Sequence, residues 1–300
     1  MKLTSQPLTM LMASSLILCS HLAAQENQPS HKYAKVDQLY ESISPHWKAF
    51  KLITEIDHSR LAEKAGATMP PAKVAIFSDT KVNSILMQIN PMVGIDLPHK
   101  ILVFSEGDTS KAKIATPRAA FLKKRHHLAD QKAVKPLLQY DTNLKKILDG
   151  VPPSSFAPIQ LETVKQGFGI ITINSNFNFA ESIQRIKKVV LSQGDTVWFA
   201  DLNYQADAAQ LGITIRPATL LLFGGPRPGA MAMAKAPKLG LDAFCQKLLV
   251  LEDGDGKVSI HYNSITEFAK LHYDVSSKPQ EVINTRLEAT FKKALSKPSK

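Results

Sequence analysis

The chain has 300 residues, a formal net charge of +11, and 44% hydrophobic residues. At about 100 to 200 residues per domain, this length favours two domains with cores of adequate size. The basic residues occur in dispersed clusters such as Lys123-Lys124-Arg125. Such clusters are typical of solvated helix faces, with attraction to anionic lipid or polymer as the alternative. No basic motif interleaved with aromatic residues is present, so we expect no nucleic-acid partner.

The first residues indicate export. The apolar run from Leu8 to Leu18 is too short to span a bilayer. Small residues ending at Ala24 follow it, which is the pattern of a secretory signal peptide. We therefore expect residues 1–24 to be removed and the protein to be periplasmic or secreted, with no transmembrane segment. Cys19 follows Leu18, where a lipid-attachment signal needs a small residue, so plain export is favoured over lipidation.

The chain contains an internal repeat. A shift of 146 residues aligns Gly94-Ile95-Asp96 with Gly240-Leu241-Asp242. One inserted residue then aligns Lys100-Ile101-Leu102-Val103 with Lys247-Leu248-Leu249-Val250. Matches at a nearly constant spacing, with glycines among them, indicate duplication of a structural unit. A period this long makes each unit a domain rather than a turn of a solenoid.

Strand and helix patterns are clearest in the second copy, which we place at residues 161–300. Apolar and β-branched runs predict five strands, at residues 167–174, 196–202, 219–223, 247–251 and 257–262. Helical spacing of apolar residues predicts helices at 179–191, 264–271 and 279–295. The order β-α-β-β-β-β-α predicts an α+β domain with an antiparallel sheet covered on one face by helices.

The first copy, placed at residues 31–149, follows the same plan with its opening strand shortened or lost. Its pattern predicts helices at 36–47 and near 142–148, and strands near 50–56, 73–77 and 100–104. The stretch with Pro152-Pro153-Ser154-Ser155 separates the copies, so we assign residues 150–160 to a linker. Fusing two copies makes an internal pseudo-dimer the expected arrangement, and further homo-oligomerisation stays open.

Several motifs are shared unevenly between the copies. The first copy contains Asp57-His58, and Asn203-Tyr204 takes this place in the second. The second copy contains Phe223-Gly224-Gly225-Pro226, and Ser78-Asp79 takes the place of its glycines in the first. Each copy therefore lacks what the other keeps.

With these motifs and the Gly94-Ile95-Asp96-Leu97-Pro98 segment, the chain resembles the bacterial domain-of-unknown-function family 302. The resemblance extends over two blocks of the chain. It implies a compact α+β domain, similar in topology to the sheet of the TATA-binding protein, that often self-associates. It implies no known reaction, and similar sheets host unrelated activities.

Asp57-His58 is the pair best suited to chemistry, because a carboxylate can orient an imidazole that binds metal or moves a proton. His99, His126 and His127 could in principle join it. However, adjacent residues of a strand point to opposite faces. We therefore favour an aspartate that caps the next helix and a histidine on a solvated edge. Ligand or metal binding by Asp57, His58 and His99 is the alternative.

The segment Gly224 to Gly229 follows an apolar strand, and its backbone amides could approach an anion beside Arg227. It lacks the Lys-Ser/Thr ending of a nucleotide loop and the spacing of a dinucleotide loop. We favour a structural turn containing Gly224 and Pro226, with anion binding at Arg227 as the alternative.

Asp96 and Asp242 lie in the best-matched short segments of the repeat. An apolar residue before each aspartate and a strand after it predict a loop that packs inward. We expect both carboxylates to accept backbone hydrogen bonds that hold these loops, which is a structural role.

Other features favour ordinary packing. Cys245 is the only cysteine after the expected signal peptide, so we expect no intramolecular disulfide and a small buried side chain. Met231 and Met233 alternate with alanine as on a packed strand or loop, with a copper-binding pair as the alternative. Asp253-Gly254-Asp255-Gly256 resembles a calcium loop but lacks its later ligands, so it predicts a hairpin turn.

No nucleophile elbow, Cys-His arrangement or His-Glu-x-x-His zinc helix is present, so an enzyme is not favoured. The sequence identifies no cofactor and leaves metal binding open. We expect a non-catalytic binding or interaction module. A metal-dependent or small-ligand enzyme using Asp57 and His58 is the alternative.

Overall fold

The computed structural model describes residues 32–107 and 110–297. The expected signal peptide, residues 1–24, lies outside this range. The described chain forms two antiparallel sheets, one in each copy. The predicted α+β class with two repeated units is therefore confirmed. Within these residues, no helix combines the length and the apolar character needed to cross a membrane.

The sheet of the first copy has four strands that pair in chain order: β1 (Lys51–Asp57), β2 (Ala72–Ser78), β3 (His99–Phe104) and β4 (Lys113–Ala115). Its helices are α1 (Ala34–Ile43), α2 (His58–Lys64), α3 (Thr80–Ile89), α4 (Ala119–Arg125) and α5 (Gln131–Ile147). The predicted helix over 36–47 ends at Ile43 and continues as a 3₁₀ turn. Helices α2, α3 and α4 were not predicted, since seven to ten residues give little periodicity.

The sheet of the second copy has five strands in the order β5-β9-β8-β7-β6. These are β5 (Ile170–Asn174), β6 (Val197–Asn203), β7 (Ala218–Gly224), β8 (Gln246–Glu252) and β9 (Val258–Asn263). Its helices are α6 (Phe179–Leu191), α7 (Tyr204–Ala209), α8 (Pro226–Met233), α9 (Ile265–Tyr273) and α10 (Lys278–Leu295). All five predicted strands and three predicted helices are present, and α7 and α8 are additional. The Asp253 to Gly256 segment joins β8 to β9 as the expected hairpin turn.

Helices cover one face of the second sheet, as the pattern predicts. Ile186 and Val190 of α6 and Phe291 of α10 pack with sheet residues such as Leu221 and Val250. The opposite face is covered too. Its side chains belong to a large apolar cluster that also contains residues of the first copy. A second buried face of this kind is not visible in a pattern of single strands, because it depends on the neighbouring copy.

The copies contact each other through equivalent loops. The Gly94 backbone approaches the second copy so closely that an added Cβ would lie 3.1 Å from Leu249 Cδ1. An added Cβ on Gly240 would lie 3.2 Å from Leu102 Cδ1 in the first copy. Glycine allows this approach because it has no side chain. The Gly-apolar-Asp loop of each copy therefore packs against the equivalent strand of the other, Gly94 against β8 and Gly240 against β3.

Candidate functional site

Asp57 lies at the junction of β1 and α2. Its side chain accepts a hydrogen bond from the backbone N–H of Arg60 at 2.9 Å and caps α2. It also accepts from the Ser59 hydroxyl and pairs with the Arg60 guanidinium. Burial alone would raise the pKa of Asp57, but these hydrogen bonds lower it. Within the described chain, no hydrogen bond joins this carboxylate to the His58 imidazole.

His58 begins α2 and is only 7% exposed, so the expectation of a solvated edge is wrong. The strand ends at Asp57, and the turn into α2 directs the ring towards the second copy. There His58 Nε2 lies 3.2 Å from the Gly240 carbonyl oxygen. A carbonyl only accepts, so Nε2 carries the proton of the neutral ring and Nδ1 holds the lone pair. Burial, followed by the charge of Lys247, lowers the pKa of His58 to about 4.

The other candidate histidines do not converge on His58. His99 of β3 stacks on Tyr140 with ring centroids 3.9 Å apart, and burial lowers its pKa to about 4. His126 contacts a carboxylate described below, and His127 is exposed. Residues 32–107 and 110–297 contain no group of three or more His, Cys, Asp and Glu side chains that could hold a metal. The ligand set of the enzymatic alternative is therefore not assembled in this part of the chain.

The glycine-rich segment is the start of a helix rather than an isolated turn. Gly224 ends β7 and Pro226 is the first residue of α8. Pro226 and Pro228 have no N–H, so the first turn of this helix offers few amide donors to an anion. Arg227 between them is exposed. Met231 and Met233 also lie in α8, where the first is 58% exposed and the second is buried.

Asp96 and Asp242 lie in a buried cluster of charges between the copies. Lys100 Nζ lies 3.4 Å from Asp96 Oδ1 and 2.9 Å from Asp242 Oδ1. All three side chains are no more than 2% exposed. One lysine of the first copy therefore links the equivalent aspartates of both copies. In the described residues these carboxylates contact side chains, and not the backbone amides that we expected.

Arg125 makes a second link across the cluster. Its Nη1 donates to both oxygens of Asp96, at 2.9 and 2.8 Å. Its Nη2 donates to Asn263 Oδ1 in the second copy at 2.7 Å. His126 Nε2 donates to Asp96 Oδ2 at 2.6 Å. Burial alone would raise the pKa of Asp96, but the charges of Arg125 and Lys100 hold it well below its usual value.

Asp242 has fewer partners. His272 Nε2 donates to its Oδ2 at 3.1 Å, and Asn263 Nδ2 donates to its backbone oxygen at 2.9 Å. Burial alone would raise the pKa of Asp242, but the charge of Lys100 and the His272 hydrogen bond lower it. Burial also lowers the pKa of His272. Asp242 therefore depends on a lysine from the other copy.

Lys247 is the repeat equivalent of Lys100, but it has a different environment. It is 2% exposed, and its Nζ donates to the Cys245 carbonyl oxygen at 3.3 Å. Among the described residues, no carboxylate lies within ion-pair distance of it. Burial lowers the pKa of Lys247 and raises that of the Cys245 thiol. The thiol is therefore held in the form that is a poor nucleophile.

Tyr204 is the repeat equivalent of His58 and begins α7. Its hydroxyl oxygen lies 2.9 Å from the Gly94 carbonyl oxygen and 2.7 Å from that of Leu97. It is 2% exposed. Each copy therefore directs the first side chain of one short helix at the Gly-apolar-Asp loop of its neighbour.

A small cavity of about 20 Å³, with room for about one water molecule, lies beside His58 between the two copies. The first copy contributes His58 and Leu61 to its wall. The second copy contributes the Gly224-Gly225-Pro226 backbone and the rings of Phe199 and Phe244. The Asp-His motif of one copy and the glycine motif of the other thus meet in one place. Arg227 is not part of this wall.

Sequence patterns alone do not identify Lys100, Lys247 and Arg125 as members of a buried site. The two lysines begin matching apolar strands of the repeat, and a lysine inside a core strand is rarely buried unless it is paired. The repeated lysine at the start of an apolar strand was therefore the sequence signal for a buried, paired lysine. Arg125 was wrongly grouped with Lys123-Lys124 as a solvated face, because a run of basic letters does not show which side of α4 faces inward. Only the two lysines are exposed.

About a third of the chain is similar to known proteins of a different description. Parts of the chain are similar to proteins described as "Fluoride-specific ion channel FluC 1" from Brucella suis and Brucella abortus. In both cases 33% of 104 residues are identical, over 35% of this chain. The match covers 40% of the first relative and 38% of the second. The chain thus spans about two fifths of the length of these relatives.

A crystal structure described as an uncharacterized conserved DUF302 protein from Bacillus stearothermophilus is also similar, with a TM-score of 0.36 and 16% identity. The match covers 42% of this chain and 95% of that chain. The family described as "Domain of unknown function DUF302" matches twice, at residues 29–151 and 171–296. These two matches include most of the chain and agree with the two structural copies. The chain therefore belongs to the DUF302 family and carries two copies of its domain in tandem.

Proposed function

We propose that this protein is an exported, non-catalytic binding module in which two DUF302 copies act as one permanent pair. The observation that carries the proposal is the charge cluster between the copies. Lys100 contacts Asp96 in its own copy and Asp242 in the other. A buried charge that loses its partner is strongly destabilising. Separation of the copies would take Lys100 away from the buried Asp242 carboxylate, so the pair is the functional unit.

The apolar core supports the same proposal. Leu102 and Ile76 of the first copy belong to the same buried cluster as Leu222 and Leu249 of the second. Separation would expose these side chains to water at a cost of about 25 cal/mol for each Å² of apolar surface. The duplication thus fixes an interface that separate domains would have to form by association.

The state of the titratable groups supports a binding role. Asp57 holds its own helix, and Asp96 and Asp242 neutralise buried cations. His126 and His272 each bond to one of these buried aspartates. Such groups are committed to the fold. A metal-dependent or small-ligand enzyme using Asp57 and His58 is the weaker proposal, because these two side chains are directed to different partners.

Cleavage of the linker tests the permanent pair. A protease site inserted after the exposed Gly150 allows the folded full chain to be cut without prior unfolding. We expect both fragments to co-elute in size-exclusion chromatography under native conditions. The uncut variant is the matched control. Fragments that separate without denaturant would show that the copies do not form a stable unit.

Export has its own test. Intact-mass measurement of protein isolated from the periplasm or medium should show a chain that begins at Gln25, after cleavage at Ala24. A chain that keeps its first residues, or that carries lipid on Cys19, would contradict this part of the proposal.

Fluoride is a candidate ligand, because part of the chain is similar to the Brucella fluoride channels. Its test is ¹⁹F NMR of sodium fluoride with the full chain, with excess chloride as competitor. Saturable broadening that chloride does not reverse would support fluoride binding. An unchanged fluoride signal would remove this candidate.

A further inference from the structure

Helices α5 and α10 occupy equivalent places in the repeat, but their outer surfaces carry different charges. Several basic side chains of α10 pair with carboxylates: Lys278 with Glu281, Arg286 with Asp195, and Lys292 with Glu288. The exposed basic residues of α5 are Lys132, Lys135, Lys145 and Lys146. In the described chain, no carboxylate lies within ion-pair distance of these four lysines. The outer surface of α5 therefore keeps a positive charge that α10 largely neutralises.

The aspartates near this surface have other partners. Asp130 caps α5, and its Oδ1 accepts a hydrogen bond from the backbone N–H of Lys132 at 2.7 Å. Asp141 Oδ1 accepts from the backbone N–H of Ala119 at 2.9 Å and lies 3.6 Å from Arg118 Nε. Within the described residues, neither carboxylate contacts a lysine side chain of α5. The lysine side chains are thus available to an external anion.

Two large apolar side chains lie among these lysines. Val134 is 54% exposed, and Leu138, one turn later, is 67% exposed. Leu138 is the most exposed large apolar side chain of the described residues. The repeat equivalents on α10 are Glu281 and Thr285. The first copy therefore presents apolar side chains to the surroundings where the second presents polar ones.

Helix α4 extends the same surface. A groove of about 280 Å³ lies between α4 and α5, and Lys123, Val134 and Leu138 line it. Ala119 and Ala120 add small apolar side chains from α4. Basic and apolar groups of both helices thus meet on one side of the first copy. We call the surface formed by Lys123, Lys132, Val134, Lys135 and Leu138 the α5 face.

The chemistry of the α5 face favours an anionic membrane as its partner. A basic helix surface with exposed apolar side chains is typical of proteins that bind in the interface of a bilayer. Valine and leucine can enter the boundary between headgroups and acyl chains, while flexible lysine stems keep the ammonium groups at the phosphates. A second copy of the chain fits less well. A two-fold interface uses the same patch on both subunits and would place lysines against lysines.

We propose that the α5 face docks this protein onto the surface of a bilayer that contains anionic phospholipid. The inference rests on the proposed function as a binding module, and it names the partner. Only the first copy supplies the docking surface, because the equivalent surface of α10 pairs its charges within the protein.

Co-sedimentation with vesicles tests the proposal. The protein used begins at Gln25, because the apolar run from Leu8 to Leu18 would itself bind lipid. We expect binding to vesicles of equimolar phosphatidylglycerol and phosphatidylcholine. Vesicles of phosphatidylcholine alone should bind about tenfold more weakly or worse, and high salt should weaken binding to the anionic vesicles. Equal binding to both kinds of vesicle, or no binding to either, would overturn the proposal.

Charge variants locate the contact. Lys132→Gln combined with Lys135→Gln should weaken binding to anionic vesicles by about tenfold or more. Lys292→Gln combined with Lys293→Gln on α10 is the matched control, since it removes the same net charge, and it should change binding by less than about twofold. All four lysines are exposed, so both double variants should fold. Equal losses in the two would show that only the net charge matters and would overturn the assignment to the α5 face.

Leu138→Ser tests the apolar part of the face and should weaken binding by about threefold to tenfold. Val282→Ser is its control, since Val282 is 53% exposed on α10, and it should bind as the parent does. Unchanged binding by Leu138→Ser would contradict insertion of this side chain. Sedimentation velocity without vesicles tests the other occupant. A dimer that Leu138→Ser dissociates would assign the α5 face to a second copy and overturn the inference.

Linker cleavage separates these outcomes from failure of the proposed function. If the cut fragments stay together while anionic vesicles do not bind, the membrane partner is wrong and the permanent pair stands. If the fragments separate, the permanent pair is wrong, and the uncut chain still reports whether the α5 face binds anionic lipid.

Discussion

The two copies share a backbone plan and differ in which polar side chains they keep. Asp57 and Asn203 cap equivalent short helices. The pairing of β1 with β2 and of β6 with β7 is interrupted at the same place, after Leu52 and after Trp198. The scaffold was therefore retained in both copies. The charged residues and the residues beside the cavity were not retained in both copies. In a fused pair one residue, such as Lys100, can serve both copies.

Lys100 and Lys247 show this division most clearly. Lys100 contacts two aspartates, whereas Lys247 donates to a single carbonyl oxygen in the described chain. Equivalent sequence positions thus have different electrostatic environments. The lesson is that a repeat identifies equivalent places in a fold but does not show that their residues do the same work.

The largest effect is expected for the two aspartates. Asp96→Ala leaves the buried Arg125 guanidinium without a carboxylate and should lower the free energy of unfolding by about 3 to 5 kcal/mol. Asp242→Ala should cost less, about 1 to 3 kcal/mol, because Lys100 keeps Asp96. Urea unfolding measures both values.

Asp255→Ala, in the exposed β8–β9 turn, is the control and should change stability by no more than about 0.5 kcal/mol. Equal losses for Asp96→Ala and Asp242→Ala would contradict the asymmetry. If both variants unfold like the parent but lose a ligand that the parent binds, the aspartates belong to a binding site instead.

Substitution of the two lysines by methionine should have effects of different size. Lys100→Met removes the cation between two buried carboxylates and should destabilise the fold by about 3 kcal/mol. Lys247→Met removes a buried amine that has no carboxylate partner among the described residues, so the stability of this variant should change by less than about 1 kcal/mol or increase. Thermal and urea unfolding of both variants provide the comparison. A larger loss for Lys247→Met would show that this lysine has the more important role.

Acid should reveal the difference between His58 and Tyr204. A histidine titrates near 6.5 in an unfolded chain, and His58 has a pKa of about 4 in the fold. The unfolded state therefore binds more protons between these values. The stability from neutral His58 is fully present above about pH 6.5 and is lost as the pH falls towards 4, by up to about 1.4 kcal/mol per pH unit.

His58→Tyr removes this titration, so the decline of unfolding free energy between pH 6.5 and 4 should become shallower. Urea unfolding at several pH values gives the slope. His127→Asn is the control, since His127 is exposed and asparagine tolerates its φ of 49°. The same slope in His58→Tyr and the parent would mean that His58 does not contribute to acid sensitivity.

The smallest effect concerns the hydroxyl of Tyr204. Tyr204→Phe keeps the ring but leaves two buried carbonyl oxygens without this donor, so it should cost about 1 to 2 kcal/mol. His58→Phe removes one contact of 3.2 Å and should cost less, about 1 kcal/mol. Differential scanning calorimetry can resolve this order. A reversed order would indicate that the His58 contact is the stronger link between the copies.

Much of the second copy could be predicted from local sequence. The helix predicted over 179–191 has the same bounds in the structure, because Asn178 caps it and apolar residues follow with helical spacing. Helices α7 and α8 were missed, because the first has six residues and the second contains two prolines and a glycine. In the first copy, β4 has only three residues and carries no alternating pattern.

The candidate site could be predicted only in part. The uneven sharing of Asp57-His58 and the Gly224-Gly225 motif was visible in the sequence. Their meeting at one pocket was not, since it depends on how the copies pack. The burial of His58, wrongly expected at a solvated edge, has the same origin.

The duplication, the α+β class and the positions of the main strands can be inferred from the sequence, because they depend on local periodicity, turn residues and a repeated spacing. Which charges are buried, and which carboxylate each cation contacts, depends on how the two copies pack. Lys100 and Lys247 occupy matching positions in matching strands, yet only the packed pair gives one of them two aspartates. Ion pairing and burial are properties of groups brought together from distant parts of the chain, so local pattern does not contain them.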